Sequence, residues 1–116
     1  IYGGADIFLM PSAFEPCGLG QMFAMRYGTV PVVRKTGGLA DTVFEGVNGF
    51  VFEEKTSDAL SEAVARAVHA FRSEEWPGVR EAGMRTDFSW DKSAADYEQM
   101  YDDARASRRL ALAAEG

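Results

Sequence analysis

The residue types best suited to chemistry stand together in Phe14-Glu15-Pro16-Cys17-Gly18-Leu19-Gly20. A carboxylate there follows an unbroken apolar run, and two glycines come shortly after it. A carboxylate between a strand and a helix can accept hydrogen bonds from sugar hydroxyls or stabilise developing positive charge. The first N–H groups of the helix lack internal partners and suit an anion such as phosphate. A second glycine-bearing turn, Thr36-Gly37-Gly38, offers the same close backbone approach. One carboxylate between two such turns points to a phosphorylated sugar. On the residues alone an ordinary solvated loop, with Glu15 in water and glycines serving only as turn-makers, stands beside that reading. Cys17 is equally two-sided: a thiol near a helix N-terminus is open to acidification, yet no basic or histidine partner is near in sequence, which favours a small packing residue.

These loops need a scaffold, and the apolar pattern supplies it. Residues 5–10 (ADIFLM) run apolar without alternation and stop at Pro11, the pattern of a parallel strand covered on both faces. A helix is predicted over 19–27, with Leu19, Met22 and Phe23 on its apolar face and Gly28 as terminator. Val30-Pro31-Val32-Val33 is a second strand, and Phe50-Val51-Phe52 a short third after the turn Gly46-Val47-Asn48-Gly49. Strand, helix and strand in succession close as a right-handed crossover, which gives a doubly wound α/β fold with ligands at the carboxyl ends of the strands. Both glycine-bearing loops then lie on the same edge of the sheet.

Further on, Ser57 is the expected N-cap of an amphipathic helix whose apolar face is Leu60, Ala63, Val64, Ala67, Val68 and Phe71. His69 falls on its polar side, a solvated position. A weaker helix covers 74–84, with Pro77 in its first turn. Ser89 caps a last helix carrying the aromatic stripe Trp90, Tyr97 and Tyr101, which calls for a surface to cover. The tail 104–116 either extends that helix or frays.

Bulk properties narrow the functional classes. The 116 residues are 47% hydrophobic and carry a formal charge of −6, which suits one compact domain and argues against nucleic acid or anionic membrane as a partner. A single cysteine excludes an intrachain disulfide, suits a reducing compartment and, with one histidine, leaves no ligand set for structural zinc. No apolar run approaches the roughly 20 residues that span a bilayer. Ile1-Tyr2-Gly3-Gly4 lacks an initiator Met and leads straight into a strand, so the expectation is a piece of a longer chain with apolar surface exposed.

Four separated blocks then carry a resemblance. Phe14-Glu15-Pro16-Cys17-Gly18-Leu19, Tyr27-Gly28-Thr29-Val30-Pro31, Lys35-Thr36-Gly37-Gly38-Leu39-Ala40-Asp41-Thr42-Val43 and Asp87-Phe88-Ser89-Trp90 resemble the bacterial glycogen synthase and plant starch synthase family. The resemblance implies a two-domain glucosyltransferase of GT-B type with paired Rossmann-like domains. Residues 1–103 would be a partial C-terminal, donor-binding domain: a parallel sheet with flanking helices, ending in the aromatic-faced helix. It further implies ADP-glucose as donor, a nucleotide-sugar substrate with no cofactor, and an α-1,4-glucan acceptor held by an absent N-terminal domain. Transfer would retain anomeric configuration. The compartment would be a plastid in a plant or alga and the cytoplasm in a bacterium.

By the same resemblance Glu15 is the catalytic carboxylate that holds the glucose hydroxyls, and the backbone donors of Cys17 and Gly18 contact the sugar. Leu19 and Gly20 receive the distal phosphate, while Thr36, Gly37 and Gly38 border the pocket. Two positions depart from the pattern. Phe23 stands eight positions after Glu15, where the wider group has a second glutamate, which disfavours sucrose- or lipid-directed relatives and a UDP-sugar donor. Gly20 stands where Thr or Ile is frequent. The family's basic residues that neutralise the diphosphate fall upstream of Ile1, so this piece alone is expected to be inactive. A noncatalytic α/β module binding glucan or a synthase partner is the alternative from another class.

Overall fold

The computed structural model describes residues 1–114. After a 3₁₀ turn at Tyr2–Gly4 the order is β1 (Ile7–Met10), α1 (Gly20–Arg26), β2 (Val30–Arg34), α2 (Gly38–Thr42), β3 (Phe50–Phe52), α3 (Ser57–Phe71), α4 (Trp76–Arg85) and α5 (Trp90–Ala114). The strands form one parallel sheet in the order β1-β2-β3, with Ile7 opposite Val30 and Val32 opposite Phe50. The expected α/β class, a parallel sheet with flanking helices, is what the chain adopts.

Residues 1–86 form one compact unit. The first four residues of β2 are buried, because that strand has a neighbour on each side. Val30 and Val32 share a core with Phe50 and Phe52 of β3, the α3 alanines Ala63, Ala67 and Ala70, and Trp76 and Val79 of α4. Small side chains on α3 let the helix lie close over two phenylalanines.

Four sequence expectations change. β1 is not covered on both faces: its residues are half-buried and Leu9 is exposed, since β2 is its only sheet neighbour among the described residues. The buried face of α1 is Gln21, Ala24 and Met25, whereas Leu19 and Phe23 are exposed. The helix has turned a polar side chain inward in place of two apolar ones. Thr56, not Ser57, caps α3, because Thr56 has the extended backbone of a cap and its Oγ1 accepts from the Ala59 amide at 3.2 Å. Phe71 ends the α3 stripe exposed, with its ring edge-on to Trp76 at 5.2 Å.

Other expectations hold. Gly28 closes α1 with φ of +80°; its amide donates to Met25 O and that of Thr29 to Ala24 O, the paired bonds of a Schellman turn. Pro77 lies in the first turn of α4. Asp87 onward is a separate unit, in which Ser89 Oγ accepts from the Lys92 amide at 3.4 Å at the start of α5. The helix continues through Ala114, and Tyr97 and Tyr101 lie one turn apart with ring centroids 6.4 Å apart. Residues 115–116 of the expected tail lie outside the described residues. Among the described residues no helix is long and apolar enough to cross a membrane.

Candidate functional site

The site is built from two loops at the carboxyl ends of adjacent parallel strands, the first between β1 and α1 and the second between β2 and α2. Parallel pairing brings these ends together, which is why ligands of such sheets gather there. Here the loops touch through their backbones. The Gly38 amide donates to Glu15 O at 3.1 Å and shares its hydrogen with Pro16 O at 3.3 Å. Arg34, the last residue of β2, donates from Nη1 to Ala13 O at 2.6 Å and ties the first loop to the strand end.

Both glycines of the second loop are required by this contact. Gly37 has φ of +47°, and a Cβ there would overlap the Glu15 carbonyl. A Cβ on Gly38 would fall 2.7 Å from Cys17 Cα and overlap its carbonyl oxygen. The clearance is therefore filled by the Glu15–Cys17 backbone. On this side the need for glycine at 37 and 38 is thus set by close approach of the Glu15–Cys17 backbone.

The Glu15 carboxylate is half-buried, and Ser12 Oγ donates to its Oε2 at 3.5 Å, a long contact that leaves the other oxygen without a protein donor among the described residues. It is thus restrained from one side and open to a hydroxyl-bearing ligand. Cys17 is exposed, so the small-packing-residue reading fails: the residue lies in a loop whose inner face is occupied by Gly38. Gly18 has φ of +74° and Leu19 follows in a right-handed conformation. Alternation of this kind makes consecutive backbone N–H groups converge into an anion-binding concavity. Gly20 opens α1 with its Cα face against the Phe8 ring, where a Cβ would sit 3.2 Å from Cζ. Thr36 flanks the second loop, its carbonyl accepting from the Leu39 amide at 3.1 Å.

The structure thus brings Glu15, Pro16 and Cys17 against Gly37 and Gly38, with Gly18, Leu19 and Gly20 next in the chain at the helix start. Lys35, nearby in sequence, is engaged elsewhere, bonded to Glu53 Oε1 at 2.8 Å. A hollow of about 550 Å³ opens beside β3 between Lys35, Phe44, Val51 and Arg66, away from Glu15. Gln21 was not among the residues singled out by sequence. It is fully buried, and its Nε2 donates to Gly18 O at 2.9 Å and to Thr42 Oγ1 at 3.1 Å.

Residues 1–75 match the family described as glycosyl transferases group 1. Over 123 aligned positions the chain is 54% identical to the glycogen synthase of Geotalea daltonii, covering all of this chain and 24% of that protein. With the glycogen synthase of Anaeromyxobacter sp. (strain K) it shares 58% identity over 107 positions, 87% of this chain and 22% of the other. Among solved structures, the catalytic domain of starch synthase IV from Arabidopsis thaliana, bound to ADP and acarbose, matches with a TM-score of 0.76. Identity there is 44%, over 89% of this chain and 23% of that one. The chain spans about a quarter of the length of the curated relatives it matches.

Proposed function

Since the chain belongs to the group 1 glycosyl transferases, we propose that it forms the sugar-and-phosphate side of a glucosyltransferase site. The enzyme moves glucose from ADP-glucose to the non-reducing end of an α-1,4-glucan, as a glycogen synthase. One observation carries the reading: the half-buried Glu15 sits on a loop that leads into α1 and is fixed by the Gly38 amide at the carboxyl ends of two parallel strands.

In this reading Glu15 holds glucose hydroxyls and opposes the positive charge that grows on the sugar as the bond to diphosphate breaks. The N–H groups of Cys17 and Gly18 face the sugar, and those of Leu19 and Gly20 receive the distal phosphate. Fixed donors of this kind stabilise the charge of a departing nucleoside diphosphate without reorganising during the reaction. Thr36, Gly37 and Gly38 border the site, and the Gly38 amide, being bonded to Glu15 O and Pro16 O, braces it. The donor assignment draws support from the ADP in the starch synthase structure. The curated relatives named above are bacterial, which favours a bacterial cytoplasm over a plastid as the place of reaction.

The test is replacement of Glu15 by Ala in the complete gene product that contains this chain, with labelled glucose transfer from ADP-glucose to glycogen as the readout. Turnover is expected to fall by about 10²- to 10³-fold or more, with unfolding unchanged. Near-normal transfer by the variant would remove Glu15 from the site. Transfer from UDP-glucose in preference to ADP-glucose would change the donor, and wild-type protein inert with both would favour a noncatalytic glucan-binding module.

A further inference from the structure

We infer that Gln21 is the positioning residue that aims the backbone donors of the Cys17–Leu19 loop outward, those of Cys17 and Gly18 toward the sugar of the donor and that of Leu19 toward its diphosphate. The inference rests on the reading of that loop as a nucleotide-sugar site.

Gln21 has no exposed surface, although it stands in the first turn of α1 beside an exposed loop. Its Nε2 faces three acceptors: Gly18 O at 2.9 Å, Thr42 Oγ1 at 3.1 Å and, more weakly, Cys17 O at 3.5 Å. Thr42 Oγ1 in turn donates to Gly38 O at 2.9 Å, so it can only accept from Gln21. The amide therefore has its nitrogen toward the loops. Its Oε1 is buried with no partner, an arrangement that is costly in itself and that a solvated glutamine would avoid. The side chain gives up one hydrogen bond to hold the other end in place.

What it holds follows from peptide geometry. In a planar trans peptide the carbonyl of one residue and the N–H of the next point in opposite directions. Drawing Gly18 O inward to Nε2 turns the Leu19 N–H outward, and the weaker contact to Cys17 O does the same for the Gly18 N–H. Gly38 completes the set, since its amide holds Pro16 O and so turns the Cys17 N–H outward. Three consecutive donors are thus fixed by ties on the far side of their own peptide planes. The open face of Gly18 makes room for this: a Cβ there would meet Gln21 Oε1 at 2.8 Å and Glu15 Cγ at 3.0 Å. The amide oxygen and the stem of the carboxylate share one glycine's surface, so orienting the donors and orienting Glu15 are coupled.

The experiment uses the complete gene product with Gln21→Met, which keeps length and removes both donors, and with Val32→Ala as a core control of similar destabilisation. For Gln21→Met, kcat is expected to fall by about 10²-fold and ADP affinity by about tenfold, with adenosine affinity unchanged because adenosine has no phosphate to meet the donors. Val32→Ala should lower Tm and leave all three constants alone. Wild-type kcat and ADP affinity in Gln21→Met, or an equal loss in the control, would overturn the inference. If the wild-type protein transfers no glucose, the functional reading falls by itself, and pyrophosphate titration followed by backbone amide NMR then decides the role of Gln21. Shifts of the Gly18 and Leu19 amides in wild type that vanish in Gln21→Met support it; shifts in both proteins, or in neither, overturn it.

Discussion

The Gly38 amide donates to the carbonyl oxygen of Glu15 at 3.1 Å, so the loop after β2 grips the loop after β1 by its backbone. Side-chain volume at that contact has nowhere to go. A Cβ on Gly38 would lie 2.7 Å from Cys17 Cα and 2.8 Å from its carbonyl carbon, both fixed main-chain atoms. Gly38→Ala is therefore expected to destabilise the fold by about 1–3 kcal/mol and to abolish glucose transfer by displacing Glu15. Gly37→Ala is expected to destabilise at least as much, because a Cβ there would overlap the Glu15 carbonyl oxygen and because φ of 47° with ψ of −137° is a glycine-only conformation that costs another residue about 1–3 kcal/mol. Urea denaturation with parallel activity assays checks both; a Gly38→Ala protein with wild-type midpoint and turnover would contradict the packing described.

The scaffold was legible because its signals are local. Unbroken apolar runs mark β1 and β2, Gly28 stops α1, and Pro77 begins α4. The inward face of α1 was not legible, since a buried glutamine breaks the apolar period on which such a face is recognised and is paid for only by acceptors on two distant loops. Thr56 and Ser57 are both good caps, and only the backbone conformation at Thr56 separates them. For Gly37 and Gly38 the requirement for glycine was visible but its cause was not, because the atoms that fill the space belong to residues 15–17. The exposure of β1 depends on sheet order, which no local pattern encodes.

Trp76 anchors α4 in the shared core at 6% exposure, with its ring edge-on to Phe71. Trp76→Ala should cost about 3–5 kcal/mol, the range for emptying a large aromatic site. Phe71→Ala should cost less, because Phe71 is 43% exposed. A double-mutant cycle on thermal unfolding is expected to give a coupling of about 0.5–1.5 kcal/mol for this pair. Strict additivity would mean that the rings share a site without interacting.

Asp87 Oδ1 accepts from the Ser89 amide at 2.9 Å, just ahead of α5. That bond, then the Ser89 side chain and more weakly Lys92, hold its carboxyl below the ordinary value of 3.8. A carboxyl with a lowered folded pKa contributes stability that is present above its unfolded pKa and disappears as pH falls through the folded one. Helicity contributed by the first turn of α5 is accordingly expected to persist at pH 5 and to decline below pH 3.8, and Asp87→Asn should remove that decline. The effect is small because the group is fully exposed. Circular dichroism of the two proteins over an acid titration checks it; superimposable curves would show that the carboxylate contributes nothing to the helix start.

The outer edge of β3 is closed by two side chains. Val51 donates its N–H to Glu45 Oε2 at 2.5 Å and accepts from Arg66 Nη2 at 2.8 Å, while Arg66 Nε bonds Glu45 Oε1 at 2.7 Å. Both edge groups of Val51 are thereby occupied by a pair that also satisfies itself. An open strand edge is a template for another strand, so the pair matters more for solution behaviour than for stability, where an exposed ion pair is worth only about 0–1 kcal/mol. Replacing Glu45 and Arg66 together with Ala is expected to leave the unfolding midpoint nearly unchanged and to produce concentration-dependent association in sedimentation velocity. On the β2 side the Lys35 amide donates to Phe52 O at 2.8 Å and should keep its protection from exchange, while the Val51 amide should lose it. A double variant that sediments like wild type at every concentration, with Val51 still protected, would assign closure of this edge to something other than the Glu45–Arg66 pair.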